Sequence, residues 1–269
     1  MPIDELTISR AILDAHHRKM SSCLDSDVLI VGGGPAGLVA AAHLATHHRR
    51  VVIIEKQLSP GGGIWGGGMA MNDVVVQEEA KHLLTAIGLK PFQVDHDLYT
   101  VDAIALASAL ISTAVQSGAI LLNLTFMEDV CMRAGVVDGL VVNRTRIGDA
   151  LPVDPIVFRS KAVIDTTGHE AAVVEKLRKR HLLPPEVSLA GEQPMHAAAG
   201  ELFVVERTAQ VMPGLYVAGM AVCATFGGPR MGPIFGGMLL SGEKVAKLVA
   251  ATVPERACCD QPAPGGAHG

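Results

Sequence analysis

The chain has 269 residues; 49% of them are hydrophobic, 18% are charged, 29 are glycines, and the net charge is −5. This composition can supply the core of an α/β domain, while the acidic balance argues against nucleic acid as a partner. No apolar run reaches the ~20 residues of a membrane span, and the polar N-terminus is not typical of a signal peptide. The cysteines are odd in number and scattered, which favours free thiols and a cytoplasmic location over a disulfide framework.

Strand and helix patterns alternate along the chain. This predicts an α/β, Rossmann-like fold with a parallel or mixed sheet and helices on both faces. In chain order, the predicted elements are helix 3–20, strand 27–31, helix 35–46, strand 51–54, helices 72–87 and 103–117, strands 120–124, 136–142, 162–164, 196–205 and 215–217, and helix 237–253. We expect residues 1–253 to form a single α/β domain and residues 254–269 to be a disordered tail. The first helix has Leu6, Ile12 and Leu13 on its apolar side, for which a subunit interface is one option.

The first glycine-rich motif, Gly32-x-Gly34-x-x-Gly37, follows an apolar strand and opens a helix, with Glu55 at the end of the next strand. This context indicates a dinucleotide-binding loop rather than a tight turn without a ligand. Gly32 forms the turn, Gly34 admits the pyrophosphate and Gly37 allows the helix to pack on the strand, while the helix N-terminus donates to the phosphates. Glu55 is expected to accept hydrogen bonds from the adenosine ribose and to repel a 2′-phosphate, which favours NAD or FAD over NADP.

A flavin-dependent oxidoreductase of the same fold is one alternative function. Such enzymes generally end their second nucleotide motif in Gly-Asp, where the acid holds the flavin ribityl chain. Here Gly219 is followed by Met220, whose thioether is no substitute for that carboxylate. Met220 and Met231 are expected to be apolar walls of the nucleotide cavity or ordinary core residues. Trp65 either covers the ligand or packs against the core.

Four segments resemble the thiamine thiazole synthase family, which has the flavin-disulfide-reductase type of dinucleotide-binding fold. The segments are 55–56, 61–69, 75–80 and 219–242, and the resemblance extends over about residues 25–250. It implies an Fe(II)-dependent synthase that consumes NAD as a substrate, together with glycine and a sulfur source, and leaves an ADP-linked thiazole carboxylate. It also implies a homo-octamer with sites shared between subunits.

The resemblance implies roles for individual residues. Asp154 and His169, contributed by adjacent subunits, would bind the iron; carboxylate oxygen and imidazole nitrogen both suit Fe(II). Arg230 would hold the glycine carboxylate through two parallel hydrogen bonds. Ala36 stands where relatives often have a serine, and Lys56 where many have an arginine, which would weaken stacking on the adenine. The residues expected to contact the nucleotide are Gly32, Gly34, Ala36, Gly37, Glu55, Lys56, Gly63, Val130 and Met220.

Pro152 is the main departure from the family pattern. Many members have, two residues before the metal-binding Asp, a cysteine that gives up its sulfur in one turnover; others have a histidine and use free sulfide. A proline has no sulfur to donate, so an active enzyme would take external sulfide and turn over repeatedly. Cys131 and Cys223 are the remaining ordered candidates for a sulfur donor, but neither is at the matching position. A non-catalytic protein that binds NAD or ADP-thiazole is the other alternative, and the general base is not identified by the sequence.

Overall fold

The computed structural model describes residues 3–145 and 153–256. Its strands are β1 (Val28–Val31), β2 (Val51–Ile54), β3 (Asp73–Gln77), β4 (Phe92–Asp95), β5 (Leu98–Asp102), β6 (Ile120–Leu122), β7 (Thr125–Arg133), β8 (Val136–Arg144), β9 (Ile156–Arg159), β10 (Ala162–Asp165), β11 (Ala209–Met212) and β12 (Leu215–Val217). Its helices are α1 (Glu5–Cys23), α2 (Pro35–Thr46), α3 (Lys81–Ala86), α4 (Ala103–Gln116), α5 (Ala172–Arg178), α6 (Ala197–Glu206), α7 (Met220–Phe226) and α8 (Gly236–Thr252).

Six of the described strands form the main sheet, in the order β11, β12, β10, β1, β2, β6. Neighbouring strands are parallel except for β11, which is antiparallel to β12. Strands β1 and β2 are apolar throughout and every residue in them is buried, as expected of strands covered on both faces. Helices α2 and α8 cross closely at Gly242. A Cβ at this residue would lie 2.4 Å from the carbonyl oxygen of Ala36, so only glycine allows this approach. The predicted fold class is confirmed.

Two smaller antiparallel sheets are added to this framework, one of β3, β5 and β4 and the other of β7, β8 and β9. The predicted helix 72–87 is wrong in its first half, which forms strand β3; the second half consists of a 3-10 turn at Glu78–Ala80 followed by α3. Val74, Val75 and Val76 explain the difference, because β-branched side chains favour extended backbone. Val74 and Val76 are buried on one face, and the strand pairs with β5.

The predicted strand 196–205 is also wrong, because this segment forms helix α6. The three alanines at 197–199 have high helix propensity. His196 is the N-cap residue, and its Nδ1 accepts a hydrogen bond from the backbone N–H of Ala199 at 3.2 Å. Local propensity and a cap therefore favour helix in a stretch whose apolar character alone is ambiguous.

Helix α1 covers most of the predicted helix 3–20, but it begins two residues later, at Glu5, and continues to Cys23. The side chain of Asp4 caps it by accepting hydrogen bonds from the backbone N–H groups of Leu6 and Thr7. Leu6, Ile12 and Leu13 are all exposed, so the structure gives them no partner within the described part of the chain, and their burial at a subunit interface stays a prediction. No helix of the described residues is both long and apolar enough to cross a membrane.

The C-terminal part of the described chain is held by two arginines. Arg49 Nε donates to the carbonyl oxygen of Val253 at 2.8 Å, and Arg256 Nε donates to Oδ2 of the buried Asp27 at 2.6 Å. Helix α8 ends at Thr252, next to the predicted end of the domain at residue 253. The remainder of the predicted tail, from residue 257, lies outside the described residues, and the single-domain assignment stays a prediction.

Candidate active site

A cavity of about 1300 Å³ opens at the carboxyl ends of the central strands. Its wall includes Val31, Ile54 and Thr166, which lie at or directly after the ends of β1, β2 and β10. Ligands of such sheets bind at this edge. The volume exceeds the roughly 300–1,000 Å³ typical of sites for drug-sized ligands, so the cavity is large enough for a dinucleotide. A smaller cavity of about 250 Å³ among α2, α3 and α4 contains none of the predicted site residues.

The glycine loop has the geometry that its sequence predicts. Gly32 has a φ of +104°, a value that disfavours residues with a side chain. A Cβ at Gly37 would lie 2.2 Å from the carbonyl oxygen of Gly32 and 2.7 Å from Oγ1 of Thr166, whereas a Cβ at Gly34 would meet no protein atom within 4 Å. Gly34 is the N-cap of α2 and provides no side-chain cap, so amides of the first turn are available to a ligand such as a phosphate.

The carboxylate of Glu55 holds the glycine loop in place through a hydrogen bond. Its Oε2 accepts a hydrogen bond from Gly33 N at 2.7 Å, its Oε1 accepts one from Gln57 N at 2.7 Å, and the side chain is buried but borders the cavity. Each carboxylate oxygen has two lone pairs, so each can accept one further hydrogen bond. Glu55 can therefore fix the loop and accept from a ribose hydroxyl at the same time.

The side chain of Lys56 forms an ion pair that the sequence does not predict. Its Nζ lies 2.7 Å and 2.8 Å from the two carboxylate oxygens of Glu170. Both residues line the cavity, and the pair connects the end of β2 to the 3-10 turn Gly168–Glu170, which contains His169. Contact between Lys56 and the adenine would require this pair to rearrange.

The remaining predicted nucleotide contacts differ in position. Ala36, Gly63 and Met220 line the cavity, as does Met231, whereas Val130 lies further along β7 and is not part of the wall. Trp65 is not part of the wall either. Its Nε1 donates to the carbonyl oxygen of Pro60 at 2.6 Å and its ring packs against the core.

His169 and Arg230 lie at the same cavity and share one carboxylate partner. Nδ1 of His169 is 2.6 Å from Oε1 of Glu192, and Nε of Arg230 is 3.7 Å from Oε2 of the same side chain. Sequence reasoning missed Glu192, because it lies in a segment without helix or strand periodicity between α5 and α6. The only local signal is its position after Gly191, which has a φ of +78°.

The structure does not bring Asp154 to this cavity. Asp154 is exposed, in the segment that leads into β9, and it is not among the described residues of the wall. Within the described residues, no group of three or more His, Cys, Asp or Glu side chains is arranged to hold a metal ion. Pro152 lies outside the described residues.

The described cysteines have weakly acidic thiols. Burial raises the pKa of the Cys223 thiol to about 12, and burial also raises the pKa of the half-buried Cys131 thiol. Because the thiolate is the reactive form of cysteine, a raised pKa lowers the reactivity of a thiol at neutral pH.

Known proteins resemble this chain over nearly its whole length. The Thi4 family model matches residues 9–235. A thiamine thiazole synthase from Solidesulfovibrio magneticus is 46% identical over 259 residues, covering 93% of this chain and 98% of that protein, and one from Thermococcus kodakarensis is 49% identical over 243 residues, covering 90% and 96%. The crystal structure of Thermovibrio ammonificans THI4 has a TM-score of 0.90 and 43% identity, covering 94% of this chain and 99% of that one. The chain belongs to the Thi4 family.

Proposed function

We propose that the protein is a thiamine thiazole synthase that makes an ADP-linked thiazole carboxylate from NAD, glycine and free sulfide. The observation that carries the proposal is one cavity that combines the dinucleotide loop with His169 and Arg230. The family membership and the names of the similar proteins support the same activity.

The nucleotide half of the cavity suits NAD. In the proposed complex, the first-turn amides of α2 would donate to the pyrophosphate, and the carboxylate of Glu55, which lines the cavity, would accept from the adenosine ribose. The same carboxylate disfavours a 2′-phosphate. In the proposed reaction NAD loses nicotinamide, and its ribose carbons condense with glycine and sulfide to form the thiazole.

Arg230 is the proposed anchor for the glycine carboxylate. Its Nε faces Glu192, which leaves both Nη groups for two parallel hydrogen bonds. We predict that Arg230→Lys, which keeps the charge but loses the planar donor pair, raises the KM for glycine about 10- to 100-fold, corresponding to a loss of about 1.5–3 kcal/mol. The Kd for NAD should not change in a calorimetric titration. An unchanged KM for glycine would contradict the assignment.

His169 and Asp154 are the proposed Fe(II) ligands, and two copies of the chain would complete the site. The Nδ1 of His169 is engaged by Glu192, which leaves Nε2 as a ligand, and Asp154 is exposed away from the cavity of its own chain. We propose that the partner subunit's Asp154 provides the second ligand, within a homo-octamer. Bound Fe(II) would act there as a Lewis acid that polarises the glycine adduct.

External sulfide is the proposed sulfur source, since both Cys131 and Cys223 have raised pKa values and would be mainly protonated at neutral pH. We predict that Cys131→Ser and Cys223→Ala each form more than one product per subunit when sulfide is supplied. Anaerobic product assays on each variant test this, with thermal unfolding as the check that the protein is folded. A folded variant that has lost product formation would identify a cysteine donor.

Growth provides a test of the activity in cells. We expect the chain to restore growth without added thiazole in an anaerobic bacterial strain that lacks its own thiazole synthase and is supplied with sulfide. The variant His169→Ala, expressed at the same level, should not restore growth. Failure of the unmodified chain despite soluble expression would contradict the proposed function.

A further inference from the structure

Glu192 contacts both His169, the proposed metal ligand, and Arg230, the proposed anchor for the glycine carboxylate. We infer that Glu192 is a positioning residue that selects the tautomer of His169 able to bind a metal and that orients the guanidinium of Arg230. The inference rests on the proposed function, because it assigns Glu192 a role in assembling that same site.

Glu192 is the anchored member of the group. Its side chain is 15% exposed, whereas the side chains of His169 and Arg230 are 57% and 56% exposed. A solvent-exposed imidazole or guanidinium has many accessible orientations. Restricting either side chain to one orientation costs conformational entropy. A carboxylate that is itself held in place can restrict both partners.

Hydrogen bonds fix the backbone on both sides of Glu192. On one side, Gly191 N donates to the carbonyl oxygen of Ala224 at 2.9 Å; on the other, Gln193 N donates to the carbonyl oxygen of Gly228 at 2.9 Å. Arg230 N in turn donates to the carbonyl oxygen of Gln193 at 3.3 Å. Glu192 and Arg230 therefore lie on two segments that are hydrogen-bonded to each other.

The contact with His169 determines which ring nitrogen is free. A carboxylate only accepts hydrogen bonds, so the 2.6 Å contact requires a proton on Nδ1. In the neutral ring, Nε2 then has the lone pair and can bind a metal ion. A carboxylate in this position also makes the imidazole a stronger ligand and fixes its orientation.

The contact with Arg230 is electrostatic. The separation of 3.7 Å between Nε and Oε2 is an ion-pair distance rather than a hydrogen bond. It directs the Nε edge of the guanidinium toward Glu192 and leaves the opposite edge, with its two Nη groups, for a substrate carboxylate. One side chain thereby couples the orientation of the metal ligand to that of the substrate anchor.

The test compares Glu192→Gln and Glu192→Ala with a matched control in the full-length protein. Glu186→Gln makes the same change of charge in the same connecting segment, at an exposed residue that has no hydrogen bond or ion pair within the described part of the chain. Co(II) serves as the probe, because its visible absorption reports binding and ligand geometry without turnover. Thermal unfolding and the Kd for NAD are measured on every variant.

We expect Glu192→Gln to weaken Co(II) binding about 10-fold, since the amide oxygen still accepts from Nδ1, and Glu192→Ala to weaken it about 100-fold. Both variants should change the Co(II) spectrum and raise the KM for glycine, while the Kd for NAD stays the same. Glu186→Gln should match the unmodified protein in every measurement.

His169→Ala separates failure of the inference from failure of the proposed function. If His169→Ala leaves the Co(II) affinity unchanged, the metal site of the proposed function is wrong. If His169→Ala weakens Co(II) binding but both Glu192 variants bind it with unchanged affinity and spectrum, only the role of Glu192 is wrong. Loss of NAD binding together with a lower unfolding temperature in both Glu192 variants would show a purely structural residue and overturn the inference.

Discussion

Alanine at Gly37 should destabilise the protein, whereas alanine at Gly34 should weaken NAD binding and leave stability unchanged. The Cβ of Gly37→Ala would lie 2.2 Å from the carbonyl oxygen of Gly32, and this neighbour is backbone that cannot move without displacing the loop. We expect a loss of about 1–3 kcal/mol in the free energy of unfolding, the usual cost of overpacking. NAD affinity should fall as well, because helix α2 and its N-terminal amides are displaced.

Gly34→Ala is the matched control for this prediction. Gly34 has a φ of −79°, which alanine adopts without strain, and its Cβ would meet no protein atom within 4 Å. Because the methyl group would extend into the cavity, we expect about a 10-fold or larger increase in the Kd for NAD with an unchanged unfolding temperature. Calorimetric titration and thermal unfolding of both variants test the pair. A Gly34→Ala variant that binds NAD normally would place the pyrophosphate elsewhere.

Asp154→Ala and His169→Ala should each abolish product formation, and co-expression of the two should partly restore it. If each site takes His169 from one copy and the partner subunit's Asp154 from another, an assembly of both variants contains some intact sites. Random mixing in a closed ring leaves about a quarter of the sites with both residues. We therefore expect about a quarter of the unmodified activity in mixed assemblies.

The design requires a control for each variant alone. Differently tagged copies of Asp154→Ala, co-expressed with each other and purified through both tags, should have no activity, and the same holds for His169→Ala. No activity in the mixed assemblies, despite recovery of both variants in one complex, would contradict a site shared between subunits. Full activity in either single variant would remove that residue from the site.

The sequence is most informative where local chemistry and tertiary structure agree. Helix α2 has its predicted bounds because Pro35 begins it and alanines continue it, and the functions expected of Gly32 and Gly37 agree with the observed geometry. The prediction of helix 72–87 is wrong at residues 73–77, because this valine-rich segment pairs with β5 as strand β3. The predicted strand 196–205 fails where alanine propensity and the cap at His196 determine the structure.

The candidate site is only partly accessible from sequence. Glu55 can be predicted from its spacing to the glycine motif, whereas the role of His169 is predicted from the resemblance to the family. Glu192 has no such signal, because its importance comes from contacts with residues 23 and 38 positions away. The ion pair between Lys56 and Glu170 is likewise a product of the fold, since the two residues are 114 positions apart in the sequence.

The proposed function requires this chain to make ADP-thiazole repeatedly from NAD, glycine and free sulfide. The most direct measurement is anaerobic mass spectrometry of reactions containing Fe(II), NAD and glycine, with and without sulfide, together with the intact mass of the protein. We predict many product molecules per subunit only when sulfide is present, and an unchanged protein mass. Absence of product in the presence of sulfide, or one product per subunit with loss of one sulfur from the protein, would contradict the proposed function.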